Sequence, residues 1–229
     1  DGGPWVEVSM RDPDDNLILA QSAEGPLAVQ NVTENFFESS EPLCEPDPEE
    51  PDDRVQTLAE FLVLFPEGEY TFSGETGEGD LIVGDAELTY NIPAAPDISA
   101  TEDVEFGEDE PVVVSWAPGD DLGEKCHDES LVSDGTIADP ADVEVVRWEL
   151  VIEPDDDEAA DPERVIAIHL PPEQTSVTIP DEFVAQYLAD GFNVFKFEVG
   201  AKEESGNQTF SEGTFEVECP TCPEEEEEE

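Results

Sequence analysis

Basic residues are what this chain has least of. Lysine and arginine together number 7 among 229 residues, against 63 aspartates and glutamates, for a formal net charge of -56. A surface so acidic repels phosphate, which excludes nucleic acid and anionic membrane surfaces as partners. No apolar run approaches the roughly 20 residues a bilayer-spanning helix requires, so no membrane insertion is expected. No Gly-rich loop sits between a strand and a helix to cradle phosphate. The 2 histidines, His127 and His169, stand in no recognisable Ser or Cys nucleophile motif. Paired carboxylates could in principle cleave glycosides, but with 63 acids some pair is inevitable. The expectation is a chain that is not an enzyme.

What is present argues for a folded protein. Hydrophobic residues make up 37% of the chain and aromatics 8%, and several segments alternate strictly between apolar and polar. A disordered acidic chain would have fewer aromatics and no such alternation. With almost no positive partners, carboxylates repel one another across the surface and oppose the compact state. At about 0.15 M salt the Debye length is about 8 Å, and at 1 M about 3 Å, where neighbouring carboxylates are largely screened. We therefore expect adaptation to high salt, cation binding, or both.

The period-two pattern is clearest at Phe195-Lys196-Phe197-Glu198-Val199, which reaches a Ser205-Gly206-Asn207 turn and resumes at Thr209-Phe210 and Thr214-Phe215-Glu216-Val217. That is a half-buried strand, a turn and a returning strand. Residues 143–152 alternate as cleanly, with Val146, Trp148, Leu150 and Ile152 forming the apolar face. Further strands are expected at 112–116, 165–170 and 176–179, with a helical turn over 180–188. In the first half, strands are expected at 5–10, 17–20, 27–32, 69–73, 81–83 and 86–91. Residues 57–65 read as a strand or as one or two helical turns, since Leu58, Phe61, Leu62 and Phe65 lie at helical spacing. Asp12-Pro13-Asp14-Asp15-Asn16 is a turn by composition, and residues 45–53 form an acidic, Pro-rich stretch. The fold class expected is all-β.

The second half resembles a fibronectin type III domain, an immunoglobulin-like sandwich. Pro111-Val112-Val113-Val114-Ser115-Trp116 is similar to its B strand and Val146-Arg147-Trp148-Glu149-Leu150-Val151-Ile152 to its C strand. Residues 175–180 are similar to its E strand, and the hairpin from Phe195 to its F and G strands. One departure stands out: the family usually places a Tyr where this chain has Phe195, so packing is kept and a hydroxyl hydrogen bond is lost. The connection over residues 119–142 is also long for the family. In the first half, Asn35-Phe36-Phe37-Glu38-Ser39-Ser40-Glu41-Pro42 and Phe65-Pro66-Glu67-Gly68-Glu69-Tyr70-Thr71-Phe72 resemble a family of secreted bacterial proteins. There a β-rich domain precedes a fibronectin type III domain, and the family carries no assigned activity. These likenesses imply two β-sandwich-like domains: a β-rich N-terminal domain at 1–92, a Pro-rich linker at 93–96, a fibronectin type III domain at 97–218, and a Cys-containing acidic tail at 219–229.

Cys44, Cys126, Cys219 and Cys222 are an even number, compatible with two disulfides in an oxidising compartment, and three complete pairings stay open. Cys219-Pro220-Thr221-Cys222 could be a redox pair, half a zinc site or a structural bond. Its place after a strand, with Pro223 and glutamates following, favours a structural disulfide. Zinc would need Cys126 and His127 as the other donors. If the tail folds back on the 119–142 connection, Cys126 could bridge to either tail cysteine. The start, Asp1-Gly2-Gly3-Pro4, reads as a mature or trimmed product.

For metal, Asp12, Asp14 and Asn16 alternate like the start of a calcium loop, but the Gly and Glu that an EF-hand needs further on are missing. Loop calcium sites could be built from Asp120 and Asp121, or from Asp155, Asp156 and Asp157. No cofactor is required, and calcium is the one ion these loops suggest. His169, among Ile166, Ile168 and Leu170, is expected to pack on a strand face. Asn31 and Asn207 begin glycosylation triplets, and the terminal glutamates 224–229 read as a solvated tail. The function expected is a non-enzymatic secreted or cell-surface structural and interaction module, part of an extracellular assembly and adapted to high salt, partnered by other protein subunits or cell-surface components or by a second copy in a homo-oligomer. The alternative is a calcium-dependent carbohydrate-binding or adhesion module.

Overall fold

Alternation, once placed in a sheet, puts every second residue on one face, and this decides the architecture of the larger unit. The computed structural model describes residues 4–30, 32–34, 42, 56–107, 110–123, 129–155, 164–220 and 222. The fold is all-β, and the chain divides into two compact units. One comprises Asp1–Tyr90 with Lys125–Thr136, the other Asn91–Glu124 with Ile137–Glu229.

In the first unit, β1 (Glu7–Arg11), β2 (Leu17–Ser22), β3 (Gly68–Glu75) and β4 (Leu81–Leu88) form an antiparallel sheet in the order β2-β1-β3-β4. Two corrections to the sequence reading arise here. The strand expected at 27–32 is instead α1 (Pro26–Gln30), with only Val32 bridging to Trp5. Pro26 opens this turn at the first helical position, where its missing N–H costs nothing. The two strands expected at 81–83 and 86–91 are one, β4, because Gly84 continues the pairing opposite Phe72.

Residues 57–65 adopt the helical alternative as α2 (Leu58–Leu64), and a further short helix, α3 (Glu129–Ser133), belongs to this unit. Thr57 and Glu60 form a capping box, satisfying amides at the helix start. Leu58 and Leu62 turn inward. At the other end, the Tyr90 hydroxyl lies 2.7 Å from the Leu62 carbonyl and 3.0 Å from that of Phe65, so it caps carbonyls the helix leaves unpaired.

The second unit has a five-stranded sheet in the order β5-β11-β10-β7-β8 and a two-stranded sheet, β6-β9. Its strands are β5 (Val104–Phe106), β6 (Val113–Ser115), β7 (Arg147–Pro154), β8 (Ile166–Leu170), β9 (Ser176–Thr178), β10 (Val194–Lys202) and β11 (Gln208–Val217). All pairings are antiparallel except that of β5 with β11, a strand the sequence reading did not include. Trp148, Leu150 and Ile152 of β7 and Phe195, Phe197 and Val199 of β10 are all buried, as the alternation expects. Val146, assigned to the same face, lies just outside β7 and is exposed. Phe195 stacks on Phe215 with centroids 5.2 Å apart, and Trp116 meets Trp148 edge-on at 6.1 Å.

Residues 93–96, expected as a linker, are built into this unit. The Thr209 and Ser211 hydroxyls donate to the Pro93 and Pro96 carbonyls at 2.7 and 2.6 Å, and the Ala95 amide donates to Asp121 O at 2.7 Å. Gly119 passes so close that a Cβ there would stand 1.8 Å from the Ala95 oxygen. The edge of β6 is closed in the same region. The Thr101 hydroxyl donates to Ser115 O and accepts from Ser115 N, and Asp97 exchanges two backbone bonds with Ala117.

Helix α4 (Asp181–Asp190) extends the helical turn expected at 180–188 and ends at Gly191 in the left-handed conformation. It also carries a buried hydroxyl. Tyr187, fully buried, packs edge-on to Phe195 at 5.8 Å, donates to Arg164 O at 2.6 Å and accepts from Arg164 N at 3.0 Å. Arg164 in turn lies over the Tyr187 ring and pairs with Asp190 at 2.9 Å. Tyr187→Phe leaves two partly buried backbone groups of Arg164 without this partner and should lower the unfolding free energy by about 1–3 kcal/mol. Phe195→Ala should cost about 3–5 kcal/mol through the cavity it leaves. Urea unfolding at fixed high salt measures both, and the smaller loss should belong to Tyr187→Phe.

Candidate functional site

The outward face of the five-stranded sheet gathers much of the chain's scarce positive charge. Because β10 alternates, Phe195, Phe197 and Val199 point in while Lys196, Glu198, Gly200 and Lys202 point out. The outward residues of β7 are Arg147, Glu149, Val151 and Glu153. Register then fixes the rows: Gln208, Lys202 and Arg147; Phe210, Gly200, Glu149 and His169; Glu212, Glu198, Val151 and Ala167; Thr214, Lys196 and Glu153. Three of the seven basic residues and one of the two histidines share this face.

Glu198 and Glu212 stand directly opposite each other, an arrangement that is repulsive by itself. The Lys196 ammonium bridges them, 3.2 Å from Glu198 and 3.3 Å from Glu212. Partial burial works to lower the Lys196 pKa, but hydrogen bonds and charge from the two glutamates outweigh it and hold the pKa above its ordinary value. Its contribution is therefore full below the ordinary lysine pKa and fades as pH rises through the raised one. Lys196→Met should cost about 1 kcal/mol at low salt, and the loss should shrink in about 1–2 M NaCl as the two carboxylates are screened.

His169 departs from the sequence reading. Ile166, Ile168 and Leu170 take the inward parity, so His169 faces out, 55% exposed, with Nε2 3.5 Å from Glu149 Oε1. Gln208 donates to the other Glu149 oxygen at 3.1 Å. Phe210 lies flat across Gly200, where a Cβ would stand 2.5 Å from the ring, and stays 41% exposed.

At the end of this hairpin, Glu203 is buried inside its own turn. Its carboxylate accepts from the Ser205 hydroxyl and from the amides of Ser205 and Asn207, the latter two at 2.8 Å. Burial alone would raise its pKa, but these bonds together hold it below the ordinary 4.5. Such a carboxylate stabilises the fold above pH 4.5, and its contribution is lost as pH falls through the depressed value. Glu203→Gln should lose about 1–3 kcal/mol at pH 7. The gap from the parent should close on acidification, which unfolding curves at several pH values would record.

The aspartates expected to bind calcium are placed as follows. Asp120 and Asp121 are exposed in the connection after β6, and Asp121 Oδ1 accepts from Gly123 N at 2.7 Å. Asp155 is exposed at the end of β7, its amide donating to Val194 O. Asp156 and Asp157 lie outside the described residues. Among the described residues no three His, Cys, Asp or Glu side chains converge as a metal-binding group. Asp12 turns inward to clamp its own turn, accepting from Asp14 N, Asn16 N and Asn16 Nδ2 at 2.7–3.0 Å.

Cys219 and Cys222 are joined to each other, with Cα atoms 5.3 Å apart. This overturns the reading in which Cys126 bridges to a tail cysteine. Both sulfurs sit within 3.9 Å of Leu188 O near the C-terminus of α4, where the negative end of the helix dipole disfavours a thiolate. Cys44, Cys126 and His127 lie outside the described residues, as do Asn31, residues 35–41, residues 45–53 and the glutamates 224–229. Asn207 is half-buried and donates its side-chain N–H to Asn91 O at 2.9 Å, so the nitrogen a glycan would use is engaged. The sequence reading missed the Lys196 bridge and the Glu203 turn. The signal for the first was the pair of opposed glutamates that the hairpin register implies.

No helix among the described residues is long and apolar enough to cross a membrane. No protein-family profile matches the chain, and no curated protein does. Among solved structures, it is similar to a tetra-tandem repeat in the extending region of a large adhesion protein, at 11% identity and a TM-score of 0.30. The similarity covers 96% of this chain and 43% of that one, so the chain spans less than half the length of that structure.

Proposed function

We propose that this protein is a non-enzymatic structural and interaction module of the extracellular space or cell surface, adapted to high salt, whose second unit is a fibronectin type III sandwich. The observation that carries the reading is the contrast between a closed apolar core and an outer sheet face furnished for contact. Inside, aromatic and aliphatic side chains fill the space between the two sheets. Outside, exposed Phe210 and half-buried Val151 stand among oriented charges, and the rest of the chain carries a large acidic excess. The sheet partition supports the family reading: β6 and β9 lie in one sheet, and β8, β7, β10 and β11 lie in the other. These are the places that B and E, and C′, C, F and G, hold in a fibronectin type III domain. A disulfide between Cys219 and Cys222 fits an oxidising compartment.

Salt adaptation follows from the charge. The self-repulsion of -56 charges is relieved as the screening length falls from about 8 Å to about 3 Å. The melting temperature should therefore climb steeply between about 0.15 and 1 M NaCl, and equally in KCl. A flat melting temperature over that range would remove the salt-adaptation reading. Calorimetric titration of the chelated protein with calcium separates the adhesion alternative: a stoichiometric heat at constant high NaCl would transfer the proposal to a calcium-dependent module.

A further inference from the structure

Strand β4 ends the sheet of the first unit, paired with β3 on one side and with no described strand on the other. Long edge strands usually carry a proline, a lysine or a bulge that blocks pairing with another chain. Residues 81–88, Leu-Ile-Val-Gly-Asp-Ala-Glu-Leu, contain none of these, and the register with β3 runs unbroken over all eight. Leu81 and Val83 are 75% and 76% exposed. Among the described residues the edge is guarded by Asp85 and Glu87, and that guard weakens with salt.

We propose that β4 is a self-association edge, pairing antiparallel with β4 of a second copy so that two four-stranded sheets continue into one of eight. This rests on the reading of the chain as an interaction module and names its partner and surface. The occupant follows from the charge pattern of the strand itself. A two-fold axis that keeps the sheet faces continuous must set one residue opposite its own copy. Centred on Asp85, that register opposes two carboxylates. Centred on Val83, it pairs only five residues of the strand.

Centred on Gly84, it pairs seven residues and sets Asp85 opposite Val83 of the second copy, Glu87 opposite Leu81, and Ala86 opposite Ile82. No carboxylate then faces another, and each covers an apolar side chain. The two Gly84 residues meet at the axis, and a Cβ added there has no atom within 4 Å in the single chain. The two Asp85 carboxylates remain diagonal neighbours, so pairing should strengthen as salt rises.

The test reads association by sedimentation equilibrium from about 0.15 to 3 M NaCl, a range that runs past the screening of neighbouring carboxylates, together with crosslinking. The parent chain should shift from monomer to dimer as salt rises. Gly84→Cys should form a covalent dimer under mild oxidation, because opposed residues in antiparallel strands lie about 4.5–5.5 Å apart, within disulfide reach. Val63→Cys, exposed on α2, should not.

Val83→Glu places two carboxylate pairs face to face and should weaken association about tenfold, whereas Val83→Lys faces Asp85 and should preserve or strengthen it. Melting curves confirm that both variants fold, since the side chain is exposed in the single chain. Equal weakening by both substitutions overturns this register, and so does crosslinking of Gly84→Cys no faster than that of Val63→Cys. A chain that stays monomeric at every salt concentration overturns β4 pairing outright. The module reading is judged separately, by its melting response to salt and calcium.

Discussion

Strand β10 is paired along its length on both sides, with β7 and with β11, and its inward residues are all apolar. The second unit depends on that arrangement. Phe195, Phe197 and Val199 fix which face of β7 and β11 turns inward, since opposed residues in a ladder share a face. A slip of one residue would bury Lys196 and Glu198 and expose two phenylalanines. The cost of burying unpaired charge makes that slip prohibitive. One register therefore sets the core, and the same register lines up the outward charges.

The charge problem is solved locally rather than by the chain as a whole. With 7 basic residues for 63 acids, general neutralisation is out of reach. The structure instead places particular cations or amides where carboxylates are forced together or buried. Lys196 stands between Glu198 and Glu212, Arg164 pairs with Asp190, and backbone amides take up Asp12 and Glu203. A backbone amide is a donor that does not depend on salt, so the two turns closed this way hold at any ionic strength. Carboxylates elsewhere rely on distance and on screening, which ties the whole surface to the ionic medium.

Much of the second unit was legible because period two is an unambiguous signal when aromatic and β-branched residues carry it, as in Trp148 to Ile152 and Phe195 to Val199. Shorter apolar runs carry no such phase. Leu27-Ala28-Val29 reads as strand by composition, yet Pro26 starts a helical turn there, and β5 is only three residues long and joins the sheet by parallel pairing with a strand more than a hundred residues away. The role of residues 93–96 was hidden for a different reason: proline and alanine say nothing of the hydroxyls of Thr209 and Ser211 that hold them. His169 was misplaced because its apolar neighbours were counted without their parity. The site on the outer sheet face was half visible, since the alternation names its residues while only the register makes Glu198 face Glu212.

The two units treat these sheet edges differently. In the second, the edge of β6 is closed by the Thr101 hydroxyl and the Asp97–Ala117 bridge, devices made of hydrogen bonds and steric cover. In the first, the edge of β4 has no such cover among the described residues, and two carboxylates stand in its place. A hydrogen-bonded cover works in any solvent, whereas a charge works as a gatekeeper only over the distance its field reaches. At about 8 Å of screening length Asp85 and Glu87 guard a neighbouring strand edge, and at about 3 Å they scarcely act beyond contact. High charge thus protects the separate chain in dilute solution and ceases to protect it in concentrated salt, the medium in which the proposed salt adaptation would make so acidic a fold most stable. On the two proposals together, the condition that stabilises the monomer is the same condition that opens its edge.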